Sequence, residues 1–184
     1  VEATGGSRSV VEAAGILVYT STYWRNSWKY QARTYRHCFW DSGTILANTL
    51  AIARALDLPS QVVVGFLDGK VNHLLDLDEE REVALSLVPL GSKSAQTLSP
   101  SPTLDRLDLE IHPLSRTEVD YPIIREIHSA SSLTAPEELV AWKDGQATSH
   151  TIENILQRIL ESVSRGMNIV CSNYSALALR PRCG

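Results

Sequence analysis

The sequence predicts a mixed helix-and-sheet unit over residues 1–91, a connection over 92–118, and a mostly helical segment over 119–184. Three observations carry this division. Gln61–Val64 and Val83–Val88 are near-continuous β-branched or apolar runs, the mark of strands buried on both faces. Apolar residues at helical spacing separate those runs, so helices are expected to cover the sheet. Residues 92–118 are rich in Ser, Pro, Thr and Leu, a composition that suits a long connection.

The elements follow in order. Ile16–Thr20, preceded by Gly15, is the first predicted strand. Asp41 or Ser42 can cap the helix carrying Ile45, Leu46, Leu50, Ile52, Ala53 and Leu56, and Pro59 stops it. Gln61–Val64 is the second strand, ending at Gly65-Phe66. Asp68 starts a short helix through Val71, Leu74 and Leu75, and Val83–Val88 is the third strand, ending at Pro89-Leu90-Gly91. Further on, Val119–His128 reads as a helix with Pro122 in its first turn. Ala135–Trp142 reads as another, with Gly145 beyond its end. Thr151–Val163 is a third, while Cys171–Gly184 has no assignable pattern.

Composition narrows the function classes. With 17 Lys and Arg against 21 Asp and Glu the formal net charge is -4, which argues against general nucleic-acid binding. No apolar run is long enough to span a membrane and no secretory signal pattern opens the chain, so a cytoplasmic location is expected. Cys38, Cys171 and Cys183 are odd in number and widely spaced, as suits reduced thiols. The five histidines lack i,i+4 spacing and there is no C-x-x-C pattern, so no metal site is expected.

The segment richest in chemical groups is Tyr23–His37. Its cations at Arg25, Lys29, Arg33 and Arg36 would share one face of a helix, with aromatic residues between them. Three readings fit these residue types. One is a surface segment with Arg and Lys stems lying on rings. Another is a single-stranded nucleic-acid platform, which the acidic balance disfavours. The last is a redox site in which Lys and Tyr position a substrate and move its proton. Gly65, which closes a strand, is either a tight turn or a place where a planar cofactor approaches the backbone. Gly91 invites the same two readings. Lys93 is either solvated or paired with a phosphate. Ser42-Gly43-Thr44 is either an ordinary cap or a helix N-terminus open to an anion. No Walker A, G-x-G-x-x-G or G-x-S-x-G pattern is present.

Taken as an ordered set, several segments resemble the SagB-type dehydrogenases, a branch of the nitroreductase family. They are Ser21–Arg25, Trp28–His37, Gly43–Asn48, Val64–Phe66, Val71–Asp78, and Arg81–Leu85 continuing to Gly91. The resemblance implies an α+β fold: part of a nitroreductase-like three-layer α/β/α domain over 1–91, followed by a mostly helical C-terminal segment. It implies non-covalent FMN, usually at a homodimer interface, and hydride transfer to or from flavin N5. Members of this branch that act on peptides oxidise thiazoline or oxazoline rings to azoles with a catalytic Lys-Tyr pair, which Lys29-Tyr30 matches. Lys29 would be the base, with Tyr30 its helper or the proton carrier. By the same match, Val64 and Gly65 would lie against the isoalloxazine, and Gly91 and Lys93 near the phosphate. The substrate would be a small molecule or a peptide.

This sequence departs from the family pattern in one respect that bears on the cofactor. The family's Arg-Ser-rich phosphate motif has no counterpart ahead of Ile16, because Ser7-Arg8-Ser9 is not followed by the expected chain. The resemblance therefore implies a domain incomplete at its N-terminus, weak or no FMN binding by this chain alone, and support from a second copy or a complementing chain. Residues 119–142 resemble the linker that precedes a second domain in tandem members, and Thr151–Ile155 fits the start of such a domain. A rival reading is a non-catalytic nitroreductase-like module that binds a peptide or a partner subunit.

Overall fold

The computed structural model describes residues 1–92, 105, 109, 110, 112, 115–149, 168–171 and 177–180. They fall into two compact units, Val1–Leu139 and Val140–Gly184.

The first unit is built on two antiparallel strands, β1 (Gly15–Thr22) and β2 (Glu82–Leu90), in register from Gly15 opposite Leu90 to Thr22 opposite Glu82. Tyr19 faces Ser86 and Thr20 faces Ala84, so Leu85 is the extra residue of a bulge. The bulge decides which side chains enter which layer. A strict period of two would send Ala84 and Leu87 to opposite faces, but the extra residue brings both to one side. There they pack with Val10, Val63, Phe66 and Val71. Val83 and Leu85 point the other way, onto Tyr23, Cys38 and Ile124.

Helices fill both sides. α4 (Asp68–Leu74) supplies Val71 to the first cluster, as α1 (Arg8–Val11) supplies Val10. α3 (Thr34–Ala55) supplies Cys38 to the second, and α5 (Ile123–Ser131) supplies Ile124. β2 is buried from Val83 to Pro89, so the predicted sheet covered on both faces is present and the layers run α/β/α. Between β1 and α3, Tyr19 Oη and Thr49 Oγ1 are hydrogen-bonded at 2.5 Å.

Two expectations change. Gln61–Val64 is not a continuous strand. Only Val63 exchanges hydrogen bonds with Leu87, each 2.9 Å, and Ser60 bridges Leu90. A single exchanged pair does not make a ladder, so Val63 enters the core while Val64 stays 41% exposed. The helix expected to start at Asp41 or Ser42 begins at Thr34 instead. Thr34, Cys38, Ser42 and Leu46 form its buried stripe at a spacing of four, and that burial extends the helix upstream of the apparent cap. Ser42 therefore lies mid-helix, and residues 42–44 carry no free helix N-terminus for an anion.

The ends of α3 and α4 share one device. After α3, Leu58 N–H donates to Ala53 O (2.9 Å) and Asp57 N–H to Arg54 O (3.2 Å). After α4, Leu77 N–H donates to Asn72 O (3.0 Å) and Asp76 N–H to His73 O (3.1 Å). Both are Schellman closures, with Asp57 (φ 54°) and Asp76 (φ 55°) in the left-handed position usually held by Gly. α3 thus stops at Ala55, four residues before Pro59.

α6 (Pro136–Ser149) opens where Glu138 Oε2 accepts hydrogen bonds from Thr134 N–H, Thr134 Oγ1 and Ala135 N–H. Its Leu139 is buried in the first unit. That unit therefore extends past residue 91 to include α5, which the sequence reading placed in a separate segment. The second unit holds β3 (Asn168–Cys171) paired antiparallel with β4 (Leu177–Arg180). The predicted helix over Thr151–Val163, most of 92–118, and Lys93 lie outside the described residues. No helix among the described residues is long and apolar enough to cross a membrane.

Candidate functional site

The residues after β1 do not form one helix. A 3-10 turn (Tyr23–Asn26), α2 (Ser27–Tyr30) and a second 3-10 turn (Gln31–Arg33) lead into α3. The predicted single basic face is interrupted because Gln31 takes φ 54° and ψ -142°, a region essentially reserved for Gly. Fully buried Ser27 anchors the segment, its hydroxyl meeting the carbonyls of Trp24 and Val119.

The break at Gln31 has a geometric result. Tyr30 stacks on His37 with ring centroids 3.9 Å apart. His37 meets Trp40 edge-on at 4.8 Å. Lys29 Nζ lies 5.1 Å from the Tyr30 ring centre and the Arg36 guanidinium 5.9 Å from that of Trp40. Lys29 and Tyr30 are thus in contact, at one end of a ladder of rings and cations. The backbone at Gln31 stores of order 1–3 kcal/mol of strain, against which Gly costs about 0.5–1 kcal/mol in chain entropy. Gln31→Gly should therefore raise stability by about 1 kcal/mol, read as a shifted urea midpoint at constant slope. An unchanged or lower midpoint would contradict this account.

The other sequence-selected residues lie elsewhere. Gly91 adjoins the Gly15–Leu90 end of the ribbon, while Lys29 and Tyr30 follow the Thr22–Glu82 end. Nine residues of β2 separate the two ends, about 27 Å at the strand rise. Gly91 has φ 68°, its N–H donates to Pro59 O (2.8 Å), and a Cβ there would lie 3.1 Å from Ala14 Cβ. Turn geometry and this close approach are enough to account for Gly. Gly65 is buried beside Val64, and no hydrogen bond among the described residues engages the N–H of either.

The structure also assembles a half-buried polar group that a single sequence does not reveal. Tyr35 Oη lies 3.0 Å from Ser131 Oγ and 3.3 Å from His128 Nδ1. The Tyr23 ring packs against both Tyr35 and His128, at 6.2 and 5.6 Å. Burial lowers the pKa of His128 and raises those of Tyr23 and Tyr35, so all three favour their neutral forms. Asp68 accepts a hydrogen bond from Leu133 N–H (2.8 Å). Burial nonetheless pushes its carboxyl up from 3.8 to about 6, with nearby Glu79 adding to the rise.

For an acid whose pKa is raised on folding, the native state holds more protons than the unfolded state between the two values. Stability then falls as pH rises through that window. From about pH 4 to about pH 6, Asp68 should lower stability by roughly 2–3 kcal/mol, an order-of-magnitude figure from the shift. Asp68→Asn keeps an acceptor for Leu133 N–H and should flatten that part of the stability–pH curve. A curve of unchanged slope would show that Asp68 is not its source.

Two clefts flank this region. One of about 360 Å³ lies between β1 and α3 and reaches Arg25, Cys38 and Asp41. Burial raises the Cys38 thiol's pKa, which leaves it a poor nucleophile. The other, of about 350 Å³, is rimmed by Arg81 and Arg125. Both are already paired, Arg81 with Asp78 and Glu118, Arg125 with Asp120 and Glu80. Neither cleft is lined by Lys29, Tyr30, Val64, Gly65 or Gly91. No group of His, Cys, Asp or Glu suited to a metal ion occurs among the described residues.

No family model matches the sequence, and no curated protein matches it. Among solved structures, the chain is similar to the crystal structure of a putative nitroreductase from Anabaena variabilis. The TM-score is 0.56 and the identity 25%, over 73% of this chain and 28% of that one. The fold is accordingly α+β and nitroreductase-like, represented in part. The chain spans 28% of the length of the solved protein it matches.

Proposed function

We propose that this chain is part of an FMN-dependent oxidoreductase of the SagB-type branch of the nitroreductase family. The observation that carries the reading is the likeness to a nitroreductase structure over 73% of the chain. FMN, when bound, accepts or returns a hydride at N5, and the protein supplies orientation and proton handling. In the peptide-maturing version of the reaction, an azoline ring becomes an azole. Lys29 takes the ring proton and Tyr30 assists it or carries the proton onward.

The residues fit the cofactor unevenly. Val64 suits the isoalloxazine, because an exposed valine with an unengaged N–H offers a donor and apolar contact, with Gly65 buried beside it. Gly91 and Lys93 are the proposed phosphate neighbours, though the packing of Ala14 gives Gly91 an explanation of its own. A second copy or a complementing chain is proposed to complete the site in the cytoplasm. Ile45 and Ile52 on α3 and Leu56 just after it support a partner, being 50%, 60% and 64% exposed. The same face also supports the rival reading of a catalytically silent module that binds a peptide or a subunit.

The test is a titration of the purified chain with FMN, followed by flavin absorbance between 300 and 550 nm before and after desalting. Saturable spectral change, even if lost on desalting, supports the redox reading. No change at millimolar FMN, either alone or with the complementing chain present, in a folded chain that still binds peptide, supports the silent module and sinks the flavoenzyme.

A further inference from the structure

We infer that the strip from Arg25 to Trp40 is a docking surface for an acidic peptide segment. Its cations are uncompensated. Arg25, Lys29, Arg33 and Arg36 form no ion pair among the described residues, whereas Arg8, Arg54, Lys70, Arg81 and Arg125 all do. Its rings are open to solvent, with Trp28 68% and Trp40 45% exposed. Trp40 and Tyr30 are also held in place, since Tyr30 stacks on His37, His37 abuts Trp40, and Arg36 lies over Trp40. Trp, Tyr and Arg already fixed in position are the residue types that dominate binding at protein interfaces.

The charge balance selects the partner. Setting these four cations aside from the 17 Lys and Arg leaves 13 against 21 Asp and Glu. The strip is therefore a positive island on an acidic chain, with Asp41 exposed directly after Trp40. A short acidic segment covers such an island and ends there. A single-stranded nucleic acid would find stacking and cations too, but the net charge of -4 disfavours a long polyanion. The inference deepens the redox reading and rests on it in one respect, that the bound segment passes beside Lys29 and Tyr30. The surface then favours substrates with acidic residues flanking the reacting group.

The experiment is fluorescence anisotropy of the full chain with fluorescein-labelled oligoglutamate. Oligoglutamine and an oligothymidylate of matching charge serve as comparisons. Oligoglutamate should bind, weaken as salt rises, and lose about tenfold or more in affinity with Arg33→Gln/Arg36→Gln. Both residues are exposed, so circular dichroism of that variant should match the parent. Absence of binding at low salt overturns the inference, as does parental affinity in the variant. Equal binding of oligoglutamine shows the strip to be merely apolar, and tighter binding of oligothymidylate makes it a nucleic-acid surface; either result overturns it. The FMN titration separates the two readings. Flavin binding without oligoglutamate binding removes only the docking surface, and the converse removes only the flavoenzyme.

Discussion

Asn72→Ala should destabilise the protein by about 2–4 kcal/mol, one of the two largest effects expected of a single substitution. Asn72 is 1% exposed, and its Oδ1 accepts the N–H of Ala84 at 2.9 Å. Ala84 adjoins the bulge at Leu85, where the ladder between β1 and β2 is shifted. The Asn side chain takes the place of a strand partner for that donor and ties α4 to β2. Truncation leaves a buried N–H unsatisfied, at about 1–3 kcal/mol, and opens a void in well-packed surroundings. For a chain of this size the melting temperature should fall by roughly 5–15 °C.

Asn72→Asp provides the discriminating control. It keeps an acceptor but places a carboxyl in the same buried position, so its pKa is expected to rise. By the linkage argument that applies to Asp68, this variant should regain stability as pH is lowered toward the unfolded value. Asn72→Ala should show no such recovery. A change below about 1 kcal/mol in Asn72→Ala would mean that water, or a relaxed strand, satisfies Ala84 instead.

The parts of this fold that were legible in the sequence are those decided by local burial. β2 reads as a buried strand because Val83–Val88 is apolar without alternation, and the structure covers both its faces. α4 follows from the same kind of pattern, whereas β1 reads as a strand from its composition alone, since none of its residues is buried. The start of α3 was not legible, because Asp41-Ser42 imitates a cap while the true first turns carry Tyr35, Cys38 and Phe39 among charged residues. Tertiary burial against Val83 and Leu85 overrides that local signal. Likewise Gln61–Val64 has strand composition, yet only Val63 finds a partner.

Within the candidate site, the adjacency of Lys29 and Tyr30 is plain in the sequence. The stacking of Tyr30 on His37 is not, because it depends on Gln31 adopting a positive φ, which no residue preference at that position signals. The group formed by Asp68, Tyr35, His128 and Ser131 was illegible for another reason. Its hydrogen bonds join residues 65 to 96 positions apart, and a single sequence carries no register for such pairs.

Lys29→Ala should slow substrate oxidation by about 10²–10⁴-fold, the range general-base removal commonly produces, if Lys29 holds the proposed role. A Lys serves as a base only where its ammonium form is destabilised by burial or by neighbouring cations. A substrate laid over the exposed Lys29 would supply that burial. Tyr30→Phe keeps the ring that stacks on His37 and removes only the phenol, so it isolates proton carriage from packing.

Stability should hardly register either change. Lys29 is exposed and among the described residues its cation lies over the Tyr30 ring, worth about 0.5–1 kcal/mol at an exposed site. Loss of rate with unchanged melting temperature and unchanged flavin affinity would place Lys29 in the chemical step. An equal loss of affinity for an acidic substrate, with the maximal rate preserved, would instead assign Lys29 to the docking strip alone. Full activity in Lys29→Ala would remove it from both, and the search for a proton acceptor would then turn to Asp68. That carboxyl is already raised to about 6, near the pH at which a general base works best.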